Sequence, residues 1–503
     1  MKVISATEYQ LMLPMVELTI FALGMLLIDL MLPREWKWLN ALGALAGVAL
    51  SAFCVWRIQT NFPRGAAGFS NSLYVDRFAL YFWYLFLASA AITILMSVRY
   101  LELEDEQHGE YYALILMSVV GMMCMAAGID IVLLFIGLEL MAISIYVLVG
   151  FLRRDRRSNE AALKYLLLGA FSSGIFAYGL SLLYGISGST NLLASTPGRP
   201  SIAVVVNRLA AHDPHNPILI VALLTTCVGL LFKIAAVPFH QWAPDAYEGA
   251  PTSITAFMSV AVKAAAWALL LRILIYGLSP LRTTYTPLFV FVAIATMTGG
   301  NLAALTQTNT KRLLAYSSIA HVGYMLLAFV AMGSSSFSSP AFLDGFKGIL
   351  IYLLVYTFMN LGVFAVITSL RQRNIIGDEI DDLAGLYRRA PVEAVLMLIF
   401  LLSLAGIPPT AGFLGKYYIF LSLIESQHYW LASAAVLYAL FGLYYYLRMA
   451  NAMFMRESTE TARLPVSIGM RLAVGVTALA TIVIGVFPEP FIHSVNWSIG
   501  IVR

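Results

Sequence analysis

Five ionisable side chains stand inside apolar runs of this sequence: Glu139, Lys164, Lys233, Lys263 and Lys416. An ionised group at the middle of a bilayer costs about 2.5–3.5 kcal/mol on insertion scales, so each needs a partner or a use for its charge. Glu139 lies in "FIGLELMAIS" (135–144), Lys233 in "LLFKIAAVPFHQW" (230–242), Lys263 in "MSVAVKAAAW" (258–267), and Lys416 follows "LAGIPPTAGFLG" (404–415). A strongly hydrated ammonium gives up its charge in an apolar interior and keeps it beside a carboxylate. A lysine near a tunable acid is therefore a proton site with two affinities. One acid and several lysines exceed what ion pairing needs, which favours a proton relay. Glu139 is the expected tuner of Lys233, with Lys164 competing for the same acid. For any single charge, an ion pair that locks two helices is the alternative. Asp29, Arg272 and Lys347 stand near the ends of apolar runs, where snorkelling to the interface accounts for them.

Two histidines join this set. His240 falls two residues beyond Pro238, and His321 lies in "SSIAHVGYM" (317–325), about two to three turns inside its apolar run. Either serves as a hydrogen-bonded core residue or as a relay partner. Haem ligation would need further histidines at matching depth.

The elements that position these groups are spans. Hydrophobic residues make up 60% of the 503 and charged ones 12%, far from the roughly 25% charge of soluble domains. The apolar runs number about fourteen, each near the length of about 20 residues that crosses a bilayer. All are predicted helices, because lipid offers backbone amides no partner. The fold class expected is an all-α polytopic membrane protein forming one transmembrane domain.

Two of the spans are broken. Pro238 interrupts the seventh (217–243), and Gly406, Pro408, Pro409 and Gly412 interrupt the twelfth (392–424). Irregular backbone at membrane depth is tolerated where it is buried in protein or lines a wet cavity. Broken helices at corresponding positions point to internal repeats and a transport path. An offset of five spans aligns spans 4–8 with 9–13, and an odd offset reverses direction in the membrane. Two inverted five-helix repeats follow, over about 111–277 and 286–454. They are flanked by N-terminal helices to about 110 and a C-terminal helix over about 467–503. The repeat is imperfect: His321 answers Glu139, and span 13 has no counterpart of Lys263.

Basic residues concentrate in loops after odd-numbered spans, as in "RRDRR" (153–157), Lys311–Arg312, Arg371 to Arg373 and Arg388–Arg389. The positive-inside rule puts those loops in the cytoplasm and both termini on the periplasmic side. The acidic stretch "ELEDEQHGE" (102–110) reads as a solvated loop. His212 and His215, in a proline-punctuated loop, lack the further ligands a metal needs. Cys54, Cys124 and Cys227 have no pairing or metal-type spacing and read as small core residues. The net charge of +4, with no basic tract interleaved with aromatics, gives no sign of nucleic-acid binding. No cleavable signal peptide is evident.

Three stretches carry a resemblance: "KIAAVPFHQWAPDAYEGAPTSITAF" (233–257), "NTKRLLAYSSIAHVGYM" (309–325) and "AGIPPTAGFLGKYYIF" (405–420). They resemble the antiporter-like membrane subunits of respiratory complex I, the NADH:quinone oxidoreductase, over about spans 4 to 13. "PDAYEGAPT" and the lysine in span 12 are similar to the subunit N branch. The same fold occurs in cation/proton antiporter complexes and membrane-bound hydrogenases, which stay open as alternatives, as does a stand-alone secondary antiporter. The resemblance implies that Glu139 and Lys233 form an acid–lysine pair and that Lys263 is a central relay. Lys416 would be the terminal lysine toward the outside, Lys164 a further buried lysine, and His240 and His321 parts of the wiring. It implies a proton-translocating chain that binds no metal and none of the complex's cofactors, with NADH, FMN, iron–sulfur clusters and quinone handled elsewhere. It also implies a bacterial inner-membrane location, with subunits L and M and the small subunits J and K as partners.

Overall fold

Apolar chain that must satisfy its own amides winds into helix, and it does so almost throughout. The computed structural model describes residues 5–195, 200–213, 216–371, 377–457 and 467–499. In chain order the elements are α1 (Ala6–Asp29), α2 (Leu39–Asn61), the hairpin strands β1 (Ala66–Gly68) and β2 (Leu73–Val75), α3 (Arg77–Glu104), α4 (Gly109–Ala127), α5 (Ile131–Val149) and α6 (Arg156–Ser187). There follow α7 (Ile202–His212), α8 (Pro217–Ile234), α9 (Trp242–Gly249), α10 (Thr252–Phe257), α11 (Lys263–Leu271), α12 (Arg282–Leu305) and α13 (Thr310–Gly333). The chain continues with α14 (Pro340–Leu370), α15 (Leu386–Arg389), α16 (Pro391–Ala405), α17 (Ala411–Glu425), α18 (Tyr429–Met455), α19 (Ile468–Val486) and α20 (Glu489–Ile499).

Thirteen helices among the described residues are long and apolar enough to cross a membrane, and the span expected over 392–424 is divided between α16 and α17. The multi-pass all-α fold therefore matches expectation. The β1–β2 hairpin, which pairs Ala66 with Val75, and the short helices α7 and α20 were not expected. They are too short to leave a span-length signal.

The centre of the bundle is made by three spans. The apolar windows of Thr252–Gly277, Thr310–Gly333 and Pro340–Leu370 are 100%, 94% and 89% buried, against 28% for α18. A helix buried on all sides needs no amphipathic stripe, which leaves its polar residues free to face neighbouring helices. Close approach is secured by glycine: a Cβ on Gly121 would stand 2.6 Å from the Gly137 carbonyl between α4 and α5. Likewise one on Gly300 would stand 2.6 Å from the Ala320 amide between α12 and α13.

Both breaks are built alike. α8 ends with Ala235 in the left-handed region (φ 60°), and the Ala236 amide donates to the Leu231 carbonyl at 2.9 Å. α16 ends with Gly406 in the same region (φ 86°), and the Ile407 amide donates to the Leu402 carbonyl at 3.1 Å. Each is a left-handed helix stop that ties off orphan carbonyls. Each is followed three residues later by a proline on a cis bond, Pro238 and Pro409. A further irregularity sits beside a lysine. Between α10 and α11 the helix widens to a π-turn over Met258–Val262, ending where Lys263 begins, and it widens again over Arg272–Gly277.

Candidate functional site

Lys233 is placed by the last turn of α8, two residues before the left-handed stop, and only 2% of it is exposed. Its Nζ donates to the Tyr146 hydroxyl at 3.3 Å and lies 5.6 Å from that ring and 5.8 Å from the ring of Phe232. Tyr146 stands two turns beyond Glu139 on α5. The Glu139 carboxyl faces the same neighbourhood, close enough to interact electrostatically with both Tyr146 and Lys233. Its Oε1 is buried with no hydrogen-bond partner among the described residues. Among the described residues no lysine comes within ion-pair distance of it. The direct partner of Lys233 is thus a tyrosine hydroxyl, not the acid expected.

Lys263 begins α11 and is equally buried. Its Nζ donates to the Ser318 hydroxyl at 2.5 Å and sits 5.6 Å from the Tyr247 ring. Ser318 belongs to a polar stripe on α13: Ser317, His321 and Tyr324 recur at intervals of four and three, which places them on one face. His321 Nδ1 is 2.5 Å from the Tyr352 hydroxyl, and its Nε2 is 2.9 Å from that of Tyr446, which also bonds Ser317. A neutral imidazole carries one donor and one acceptor nitrogen. Between two hydroxyls it can pass a proton on by changing tautomer, one nitrogen giving and the other taking.

Lys416, on the first turns of α17, answers the second break directly. Its Nζ donates to the Ala405 carbonyl at 2.6 Å and the Leu404 carbonyl at 3.3 Å, and lies 5.2 Å from the Tyr324 ring. These are orphan carbonyls at the C-terminus of α16, the negative end of its dipole. At the first break the freed Phe232 carbonyl is taken instead by Trp242 Nε1 at 2.9 Å. The two breaks share a backbone and differ in who satisfies it.

Lys164 is a correction. It is not buried and does not reach Glu139. Its side chain is 47% exposed, with Nζ 2.9 Å from Glu160 and 3.0 Å from Asp245. The reason is register: Leu163, Leu167 and Phe171 around it face outward, so this stretch of α6 lies on the periphery of the chain. Asp245 also takes Arg312 at 2.8 Å, and Arg312 pairs with Glu248 at 2.8 Å. The group lines an open cleft of about 140 Å³ on the face that carries the basic loops. Beside Lys164, the Tyr165 ring stacks on Trp242 at 4.3 Å and meets Tyr146 edge-on at 4.6 Å, so aromatic rings connect the cleft to the Lys233 neighbourhood.

Partial burial raises the Asp245 carboxyl, but hydrogen bonds from Lys164 and Arg312 outweigh it and hold the group below the usual carboxylate range. A lowered carboxylate contributes stability above its unfolded value and loses it as pH falls through the folded one. The protection of α9 amides against hydrogen exchange should therefore fall on acidification below that lowered value. Asp245→Asn should remove this pH dependence. An unchanged profile in the variant would refute the assignment.

His240 is half-buried in the first break, where its ring faces the Pro238 backbone; among the described residues no hydrogen bond joins it to Lys233. Arg272 is a second correction. It does not snorkel. It is 1% exposed, with its guanidinium on the Asp76 carboxylate at 2.6 and 2.7 Å and its Nε on the Ala126 carbonyl at 2.9 Å. Lys347 pairs with Asp344 at 2.9 Å in the first turns of α14, and Asp29, the last residue of α1, pairs with Lys37 at 3.1 Å. His215 lies outside the described residues, among which no cluster of three His, Cys, Asp or Glu side chains is arranged to hold a metal ion. The hydroxyls of Tyr146, Ser317, Ser318, Tyr352 and Tyr446 were missed. Serine and tyrosine are ordinary in membrane helices, and only the four-residue rhythm around His321 hinted at them.

Comparison with known proteins places this arrangement in context. A family model described as NADH:quinone oxidoreductase/Mrp antiporter, transmembrane, matches residues 128–442. The chain is 62% identical to NADH-quinone oxidoreductase subunit N 1 of Koribacter versatilis, over 99% of its own length and 96% of that protein. A chain of respiratory complex I from Thermus thermophilus superposes with a TM-score of 0.76 at 31% identity, covering 95% of this chain and 98% of that one. A chain of an archaeal membrane-bound sulfane sulfur reductase shares the fold, with a TM-score of 0.83 at 23% identity over 99% and 97% of the two chains.

Proposed function

The chain belongs to the NADH-quinone oxidoreductase subunit N family, a proton-translocating membrane subunit of complex I, and from that premise we propose that its buried lysines carry the protons. The observation that bears this reading is the company they keep. Lys233, Lys263 and Lys416 are each buried and each held by a hydroxyl or a carbonyl rather than by an acid. An ammonium in that setting is an expensive way to hold helices together and an efficient way to hold a transferable proton.

In this reading the charged cleft around Lys164 and Asp245 takes up protons from the cytoplasm. Lys233 gives its proton when the Glu139 field weakens and recovers one when it strengthens. Lys263, Ser318 and His321 form the middle of the relay. His321 exchanges protons with the Tyr352 and Tyr446 hydroxyls, and Lys416 is the last buried station. His240 serves the first break. The two similar breaks and glycine-packed helix pairs support a pair of inverted repeats, over about 111–277 and 286–454. The redox groups (NADH, FMN, iron–sulfur clusters and quinone) belong to other subunits. Subunits L, M, J and K are the membrane partners. The location is the bacterial inner membrane, with both termini periplasmic.

The test uses the assembled complex in membrane vesicles. Lys233→Ala should lower redox-coupled proton pumping by about tenfold or more while the complex still assembles and oxidises NADH with an artificial acceptor. Normal pumping in that variant would overturn the relay. Loss of assembly without a separate loss of pumping would make Lys233 a structural group. Cation–proton exchange by the chain purified alone in liposomes would favour a self-sufficient antiporter instead.

A further inference from the structure

Beyond Lys416 the polar residues do not stop. On α14, Asp344, Gly348, Tyr352, Tyr356 and Asn360 follow one another at intervals of four, a row that winds by about 40° per step around the helix. Its inner part is engaged with the relay. The Tyr352 hydroxyl meets His321, the Tyr356 ring lies 5.1 Å from the His321 ring, and Asn360 donates to Ser259 at 2.6 Å. Its other end runs to the face opposite the basic loops. There Lys347 Nζ sits 2.9 Å from Asp344 Oδ1 and 6.0 Å from the ring of Tyr418 on α17. The Asp344 carboxylate also acts on Tyr418 and on Glu425, the last residue of α17. Gly415 keeps α14 and α17 in contact, since a Cβ there would stand 2.8 Å from the Tyr352 ring. The seam between the two helices therefore starts at Tyr352 and Lys416 and ends at Asp344 and Glu425. Nine residues of helix separate Lys416 from Glu425, about 14 Å. Exposure is graded along it: side chains are 13% exposed at Asp344 and 25% at Lys347, and Glu425 is open to solvent.

We propose that this end of the seam is the release site, where the Asp344 and Glu425 carboxylates, with Lys347 and Tyr418 beside them, accept the proton that leaves Lys416 and pass it to water. The proposal rests on the relay reading above. In the step, an N–H bond on Lys416 breaks and an O–H bond forms on a carboxylate. Each intervening hydroxyl or water takes one proton and gives one. The carboxylic acid then loses its proton to the outside water and returns to carboxylate. Lys347 holds Asp344 in place and keeps it ready to shed the proton, so its role is positioning.

The experiment compares three variants of the assembled complex in vesicles whose outer-face medium can be exchanged. At low buffer, Asp344→Asn/Glu425→Gln should lower proton pumping by about tenfold, and imidazole added on that face should restore it, because a mobile base replaces the missing acceptor. Glu425→Gln alone, at an exposed position that cannot disturb packing, should give a smaller loss with the same rescue. Lys416→Ala should lose pumping that imidazole does not restore. Unchanged pumping in the double variant, or a loss that imidazole leaves in place, overturns the release site while the relay stands. Normal pumping in Lys416→Ala overturns the relay itself.

Discussion

Replacing Lys263 with methionine should slow proton-coupled turnover of the assembled complex by about 10²-fold while leaving this chain at least as stable as before. The ammonium is 2% exposed, and among the described residues its one hydrogen bond is to the Ser318 hydroxyl, with no acid beside it. A charge in that position costs about 2.5–3.5 kcal/mol to hold in a membrane interior. Methionine keeps the unbranched stem and its packing and removes that cost. Activity and stability should therefore move in opposite directions, which no structural role for the lysine would produce. Pumping and quinone reduction measured together with the thermal unfolding of the purified complex would show it. A variant that pumps at the normal rate, or one that melts early, would refute the argument.

Arg272→Leu should do the reverse, destabilising the chain by about 3–5 kcal/mol. It would strand the Asp76 carboxylate at 0% exposure and leave the Ala126 carbonyl without its donor. This pair binds the start of α3, the end of α4 and the second π-turn into one junction. Asp76→Asn should be milder, because asparagine can still accept from the Ala79 amide that Asp76 now caps at 2.7 Å. The double variant Asp76→Asn/Arg272→Met should recover part of the loss, since it leaves no lone charge behind. Assembled-complex yield and melting temperature read the effect. A fully stable Arg272→Leu complex would remove the pair from the load it is assigned. Two buried cations on one span thus have opposite sign: one works and the other holds.

What could be read in advance follows the range of the physics. A charge inside an apolar run is a local anomaly, so Lys233, Lys263 and Lys416 announced themselves, as did the two proline breaks. The partner of a charge is set by packing across the bundle and leaves no local mark. Asp76 lies 196 residues from Arg272, and nothing near either residue tells of the other, so a buried pair passed for a snorkelling end group. Lys164 failed for the opposite reason. Its run is apolar because it borders lipid or another chain, and apolar residues look the same whether they face inward or outward. The multi-pass helical fold was legible because backbone in lipid has few options. The hydroxyls around His321 were not, since their chemistry depends on which helix they face.

The π-turn at Met258–Val262 has a consequence for heritable variation. Ser259, within it, is held by Asn360, and Lys263, just beyond it, is held by Ser318. A π-turn carries one residue more than an α-turn, so deleting a single residue there would restore an ordinary ladder and leave the flanking helices facing as before. Lys263 and Arg272 would keep their sides toward Ser318 and Asp76, and the loss would fall on the turn itself. The α-helix over Lys263–Leu271 has no such slack, and one residue lost there would turn Arg272 by about 100° away from Asp76. In functional descendants, in-frame single-codon losses along this helix should gather in its π-turns and be absent between 264 and 271.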